Sequence, residues 1–221
     1  MVSVRTTLFA LHGFTLNGAL MRQGLGALVE RLEQHVDLVC PDAPHPCTPG
    51  AVDRLYERWD SPRLPPPHLC WFEASDDGLV YEGWEETLSV LRAEFERHPR
   101  VAVLGFSQGA MLAATLAALS SRGELPPLAF AVIIAGSLPR APALRRAFDQ
   151  SVKVPSLHLW GERDRLTSPF SPALAQHFEP RGREIVTWPG SHSIPTRGEP
   201  AERLVEFVAR HAAEPQSTTQ T

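Results

Sequence analysis

Short apolar runs and helix-spaced apolar residues alternate along this chain in one repeating order. The runs over Thr6–Leu11, Val36–Cys40, Val101–Leu104, Ala129–Ala135, Ser156–Trp160 and Glu184–Trp188 predict six strands. Between the first two, Met21, Leu25, Leu28 and Leu32 recur at i, i+4, i+7 and i+11, one face of a single helix that Gly24 and Gly26 weaken. Trp84, Leu88, Leu91 and Phe95 repeat that spacing, and His98-Pro99 ends the second helix. Near the end, Pro200 suits a first turn, and Ala201, Leu204, Val205 and Val208 form the last apolar face. This order is the sequence form of βα units and predicts an α/β domain with a mostly parallel six-stranded sheet flanked by helices.

Two stretches break the rhythm. Pro41–Pro67 holds eight of the 21 prolines in 27 residues, including Pro65-Pro66-Pro67. That density speaks against a regular helix or a central strand, so the segment is expected to be a loop packed over the functional site. Val101–Ser121 is 21 residues without a charge, long enough to cross a membrane. Gly105, Ser107, Gln108 and Gly109 interrupt it, however, and Ala110–Leu119 is Ala-rich, so a buried strand, a turn and a buried helix are expected.

Composition narrows the class further. With 221 residues, 43% of them hydrophobic and 21% charged, the chain is expected to form one domain over residues 1–211, with a flexible polar tail over 212–221. Twenty-one basic against 25 acidic side chains give a net charge of −4, which offers no basic footprint for nucleic acid or anionic lipid. Three cysteines, Cys40, Cys47 and Cys70, are too few for a disulfide framework, and Met1–Leu11 has no signal-peptide core. The expectation is a cytoplasmic protein with no membrane span.

The chemistry collects at strand ends. Gly105-Phe106-Ser107-Gln108-Gly109 is a G-x-S-x-G pattern between an apolar strand and a helix. A sharp turn there lifts the serine hydroxyl above the sheet and points helix N–H groups at developing negative charge. A serine needs a base, and the base needs an orienting acid. Asp164, after the fifth strand, and His192, after the sixth, supply them in the order serine, acid, histidine, with Glu162 the neighbouring alternative for the acid. Leu11-His12-Gly13-Phe14 follows the first strand, and the backbone N–H groups of Phe14 and Gln108 are the expected oxyanion donors. His12 is expected to support that loop by hydrogen bonding rather than to titrate. Trp71 and Phe72 are candidate walls of an apolar acyl pocket. His45-Pro46-Cys47 and His68-Leu69-Cys70 space their paired ligands too closely for zinc, so no metal is expected.

Together with Pro41-Asp42-Ala43-Pro44-His45-Pro46, Tyr81-Glu82-Gly83-Trp84 and Ser191-His192-Ser193-Ile194-Pro195, these motifs resemble the family of serine hydrolases (FSH) of the α/β-hydrolase superfamily, from about Thr6 to His211. The resemblance implies a cofactor-free Ser107-Asp164-His192 esterase or thioesterase acting through an acyl-serine. The expected substrate is a small-molecule ester or thioester of short to medium acyl chain, and no acyl-carrier partner is specified. The elbow is also similar to that of acyl-protein thioesterases and bacterial carboxylesterases. A non-catalytic binding module on the hydrolase fold is the alternative from another class.

Overall fold

The computed structural model describes residues 4–59 and 63–212. Its main sheet has six parallel strands: β1 (Thr7–Leu11), β2 (Asp37–Val39), β3 (Val101–Phe106), β4 (Leu128–Ile134), β5 (Ser156–Gly161) and β6 (Arg183–Trp188). They lie in the order β6-β5-β4-β3-β1-β2. All six sequence-predicted strands are present, with bounds that move by no more than two residues. The helices are α1 (Gly18–Leu25), α2 (Leu28–Glu33), α3 (Pro49–Trp59), α4 (Trp84–Phe95), α5 (Gln108–Ser121), α6 (Pro142–Arg145), α7 (Ser171–Ala175) and α8 (Gly198–Ala212). Of the tail expected over 212–221, residues 213–221 lie outside the described part, and Ala212 is the last residue of α8.

Strand alternation sorts the core into two layers. Phe9, Leu11, Val101, Val103, Ala131 and Ile133 face one side with α4 and α5. Leu8, Ala10, Ala102, Leu104, Val132 and Ile134 face the other, against α1, α2 and α8. Because both faces are covered, the strands read as continuous apolar runs. The uncharged stretch from Val101 to Ser121 is β3, a turn and α5, and no described helix is long and apolar enough to cross a membrane. Alanines at 110, 113, 114, 117 and 118 are all buried, which lets the backbone of α5 lie close to the sheet.

Two expectations are corrected. The single helix predicted after β1 is two helices. Gly26 adopts φ 52° and donates its N–H to the Gln23 carbonyl, which ends α1 before α2 begins. The proline-dense segment, expected to hold no helix, contains α3. Its prolines cluster at the two ends: Pro49 occupies the first helical position, where its missing N–H costs nothing, and no proline falls between it and residue 62. Thr48 begins the helix, with its hydroxyl accepting from the Ala51 N–H and donating to Glu73. Ala51 and Val52 are buried, and Leu55 and Tyr56 half-buried, a helical period inside the proline-rich stretch.

Before and after α3 the chain is tied together by a short antiparallel ribbon, His45–Pro46 against Leu69–Cys70. A second ribbon, Glu73–Ala74 against Tyr81–Glu82, leads into α4. At the start of α1, the Gly18 N–H donates to Asp42 Oδ1 at 2.7 Å, and a Cβ at this position would lie 2.1 Å from the Cys40 carbonyl oxygen. This contact fixes the β2 exit against the β1 exit. Gly18→Ala is therefore expected to lower the unfolding free energy by roughly 1–3 kcal/mol, the usual cost of overpacking, as read from urea denaturation. An unchanged midpoint would show that the backbone yields there.

Candidate active site

The serine turn is a steric construction. Ser107 stands at φ 56° and ψ −113°, a conformation that L side chains rarely adopt, between the end of β3 and the start of α5. Holding such a residue costs on the order of 1–3 kcal/mol and requires surroundings that over-determine it. The surroundings are visible. A Cβ at Gly105 would fall 2.0 Å from the Gly109 carbonyl oxygen, and one at Gly109 would fall 2.1 Å from the carbonyl oxygen of Leu11. Both glycines of the G-x-S-x-G pattern are therefore demanded by backbone packed on backbone. The Ser107 N–H donates to the Ile134 carbonyl at 3.0 Å, which anchors the turn to β4.

Asp164 and His192 come together because β5 and β6 run parallel in register, Gly161 opposite Trp188. A Cβ at Gly161 would meet the Gly190 carbonyl oxygen at 2.4 Å, so the two following loops touch directly. The Glu162 N–H donates to Trp188 O at 2.8 Å, and the Arg163 N–H donates to Gly190 O at 2.9 Å. Above this contact His192 Nδ1 stands 2.7 Å from Asp164 Oδ2, with side-chain exposures of 9% and 0%. Burial alone drives the Asp164 carboxyl up. Donation from the Thr167 hydroxyl, from His192 and from the Leu166 N–H outweighs it and holds the group below its ordinary value of 3.8. Glu162 is exposed and accepts from the Thr187 hydroxyl at 3.1 Å, away from the imidazole. Thr167, which the sequence reading did not single out, therefore bears directly on the carboxylate.

The loop after β1 is built around a buried imidazole. His12 Nε2 accepts the Ala43 N–H at 3.0 Å, so the proton sits on Nδ1, which donates to the Gly13 carbonyl at 2.8 Å. Burial, against the Gly13 hydrogen bond and the nearby Asp42, lowers its pKa and keeps it neutral. His12 is thus a loop support, as its position suggested. A Cβ added to Gly13 would stand 3.3 Å from the Ser107 Cβ, which shows how closely this loop approaches the serine.

Trp71 and Phe72, expected to wall the acyl pocket, are buried at 1% and 3% exposure and make contacts that brace the site from behind. The Trp71 indole N–H donates to the His12 carbonyl at 2.8 Å, and Phe72 stacks on Tyr81 with centroids 4.3 Å apart. The Gln108 side chain reaches back to both, accepting the Trp71 N–H at 3.0 Å and donating to Phe72 O at 2.7 Å. The indole and amide are consumed by backbone partners, which turns these rings inward. The apolar cavity beside the serine, about 300 Å³, is lined instead by Phe14, Thr15, Leu16, Leu55, Tyr56, Leu64 and Phe106 along with Gly13, Ser107 and His192. Leu55 and Tyr56 come from α3, whose helical spacing was the available signal. A wider cavity of about 750 Å³ adjoins it across Phe14 and Leu55, bordered by Arg54, Glu57, Glu73, Asp76 and Gln108. Among the described residues no three His, Cys, Asp or Glu side chains are grouped to hold a metal ion.

A six-stranded parallel sheet carrying a strained serine at a strand-to-helix turn, with an acid–histidine pair on the neighbouring loops, defines an α/β-hydrolase of the serine type. The family model described as Serine hydrolase (FSH1) matches residues 2–203, and the chain belongs to that family. An esterase of Anopheles gambiae is 32% identical over 215 residues, covering 90% of this chain and 75% of its own length. Human Esterase OVCA2 is 30% identical over 217 residues, covering 91% and 95%. The crystal structure of Zea mays acyl-protein thioesterase 2 superposes with a TM-score of 0.66 at 21% identity, covering 96% of this chain and 95% of that one, a likeness of fold.

The depressed Asp164 carboxyl has a consequence for stability. Its ionised form is favoured in the fold, so its contribution is complete above the unfolded value near pH 4 and is lost as the pH falls through the folded value. The stability difference between wild type and Asp164→Asn, followed by urea denaturation from pH 7 to pH 3, is expected to shrink toward the acid end. A difference that stays constant with pH would show that the carboxylate's charge does not stabilise the fold.

Proposed function

We propose that this protein is a cofactor-free serine esterase, active also on thioesters, in which Ser107 is the nucleophile, His192 the general base and acid, and Asp164 the orienting carboxylate. The observation that carries the reading is the 2.7 Å pairing of His192 with a buried Asp164 at the edge of the cavity that Ser107 also lines. His192 takes the Ser107 proton as the oxygen attacks the substrate carbonyl, and then returns it to the departing alcohol or thiol. The acyl-Ser107 ester is released by water along the same path. The backbone N–H groups of Gln108, at the first turn of α5, and Phe14, beside Gly13, take the negative charge of the tetrahedral intermediate.

The two cavities divide the substrate. The smaller, apolar one beside Ser107 takes the acyl chain, and its volume suits short to medium lengths. The wider one, bordered by charged side chains, takes the leaving group and opens to solvent. The substrates are small molecules, and the working compartment is the cytoplasm, in keeping with three cysteines held as thiols. A mere binding module has no use for the strain at Ser107 or for an acid–histidine pair beside it.

Two experiments test this reading. Intact-mass measurement after exposure to a fluorophosphonate is expected to show one adduct, mapping to Ser107. Ser107→Ala should abolish the adduct and cut p-nitrophenyl ester turnover by roughly 10⁴-fold or more, and Asp164→Asn by roughly 10²- to 10⁴-fold. Ester turnover that survives Ser107→Ala would refute the assignment. For the pocket, Leu64→Trp fills the outer end of the smaller cavity. It is expected to lower kcat/KM for octanoate at least about tenfold relative to acetate, and an unchanged ratio would move the acyl chain elsewhere.

A further inference from the structure

Thr167 lies outside every motif of the sequence, yet it completes the hydrogen bonding of the acid. The Asp164 side chain is fully buried, at 0% exposure. A carboxylate so placed needs donors on both oxygens, because no water is at hand to solvate a bare one. Oδ1 accepts the Leu166 N–H at 2.9 Å and the Thr167 N–H at 3.2 Å. Oδ2 faces His192 Nδ1 at 2.7 Å and accepts the Thr167 hydroxyl as well. The oxygen that orients the imidazole therefore has two partners, and one of them is Thr167.

The hydroxyl supplies what an aspartate lacks by itself. The Cβ–Cγ torsion of aspartate is broad and has no staggered wells, so the plane of the carboxylate is set by the donors around it. The two N–H groups pin Oδ1. Among the described residues, the Thr167 hydroxyl is the donor that locates Oδ2 independently of His192. Burial pushes the Asp164 carboxyl up, and of the groups that hold it below its ordinary value the Thr167 hydroxyl counts first, ahead of His192.

Thr167 is itself built in. Its branched Cβ restricts the torsion that aims the hydroxyl, and its carbonyl accepts the N–H groups of Phe170 and Ser171, both at 2.8 Å. The buried Ser171 hydroxyl donates to the Gly136 carbonyl at 2.7 Å, with the Thr167 carbonyl 3.0 Å away. Gly136 follows β4 in a space without room for a side chain. A Cβ there would lie 2.7 Å from Ile133 Cγ2, 3.0 Å from Leu174 Cδ2 and 3.3 Å from the Cβ of Ala110, three residues past Ser107. The acid loop and the serine turn are thus braced against the same glycine.

We infer that Thr167 is a positioning residue of the hydrolase: its hydroxyl holds Asp164 Oδ2 on the Nδ1 side of His192 and so aligns the imidazole for proton transfer at Ser107. The inference rests on the esterase reading above and adds a fourth side chain to it. No bond forms or breaks at Thr167. Without the hydroxyl the carboxylate is free to turn about Cβ–Cγ, and the His192 Nδ1–H loses an acceptor held in line. Formation and hydrolysis of the acyl-serine both pass through His192, so the loss falls on kcat. Substrate binding is spared, because Thr167 lines neither cavity.

The test measures steady-state hydrolysis of p-nitrophenyl butyrate by wild type, Thr167→Val, Thr167→Ser, Asp164→Asn and the Thr167→Val/Asp164→Asn double variant, with urea midpoints reporting the fold. Valine keeps the branched shape and the backbone N–H and removes the hydroxyl. The expected result is a kcat about tenfold lower for Thr167→Val with KM changed by less than about twofold, and a kcat within about twofold of wild type for Thr167→Ser. In the Asp164→Asn background the valine substitution is expected to cost less than about twofold, since the hydroxyl acts through the carboxylate. A folded Thr167→Val with wild-type kcat, a raised KM at unchanged kcat, a serine variant as slow as the valine one, or the same loss in the Asp164→Asn background each overturns the inference. Thr167→Ala, which also lacks the hydroxyl, takes the place of a valine variant that does not fold. Wild-type turnover by Asp164→Asn overturns the acid assignment and this inference with it. A crippled Asp164→Asn beside an unimpaired Thr167→Val overturns this inference alone.

Discussion

The structure depends on one contact between backbones, the approach of Gly109 to the carbonyl of Leu11. At 2.1 Å from an added Cβ, that oxygen leaves room for a hydrogen atom and nothing larger. Because α5 can press this closely, Ser107 is forced into its left-handed turn at the end of β3, and the chain leaving β1 passes beside it. The serine, the Gly13–Phe14 loop and the first turn of α5 are thereby placed by the same packing that closes the core. The strain at Ser107 is carried by the burial of β3 and α5 on both sides, where nearly every side chain is apolar.

Around that contact the polar groups are satisfied in a closed circuit. His12 spends one ring nitrogen on Ala43 and the other on Gly13, its own carbonyl receives the Trp71 indole, and Trp71 is held at its N–H by Gln108. Each bond removes a buried donor or acceptor that would otherwise cost about 1–3 kcal/mol. The circuit ties three separate chain segments to the serine turn without using a charge. The charged partner, Asp164, is kept apart on the β5–β6 side and meets the site only through His192.

Much of this was legible in the sequence. The strands announced themselves because each is covered on both faces, so apolar runs and strand bounds coincide to within two residues. Ser107, Asp164 and His192 stood out because each follows a strand at the end of the sheet where loops gather. The errors have local physical causes. The break between α1 and α2 was hidden because the apolar period continues across Gly26, and only the φ of that residue interrupts it. Proline density concealed α3 because prolines at a helix start and beyond its end count the same in composition as prolines inside it. Trp71 and Phe72 stood out as aromatics near the serine, and the structure positions them through an indole N–H and a backbone carbonyl, buried away from the lining of the cavity beside Ser107. The cavity walls then had to come from α3, the element that went unseen.

The ribbon that closes beneath α3 has an evolutionary consequence. The chain leaves the domain at His45–Pro46 and re-enters at Leu69–Cys70, side by side. The stretch between them behaves as a cassette with a fixed two-point mount. Lengthening or shortening such a loop changes its closure entropy only slowly, by about 0.6 kcal/mol per doubling. Descendants of this chain can therefore exchange the walls that α3 and Leu64 give the cavity beside Ser107, and with them its shape, while the six-stranded sheet keeps its place.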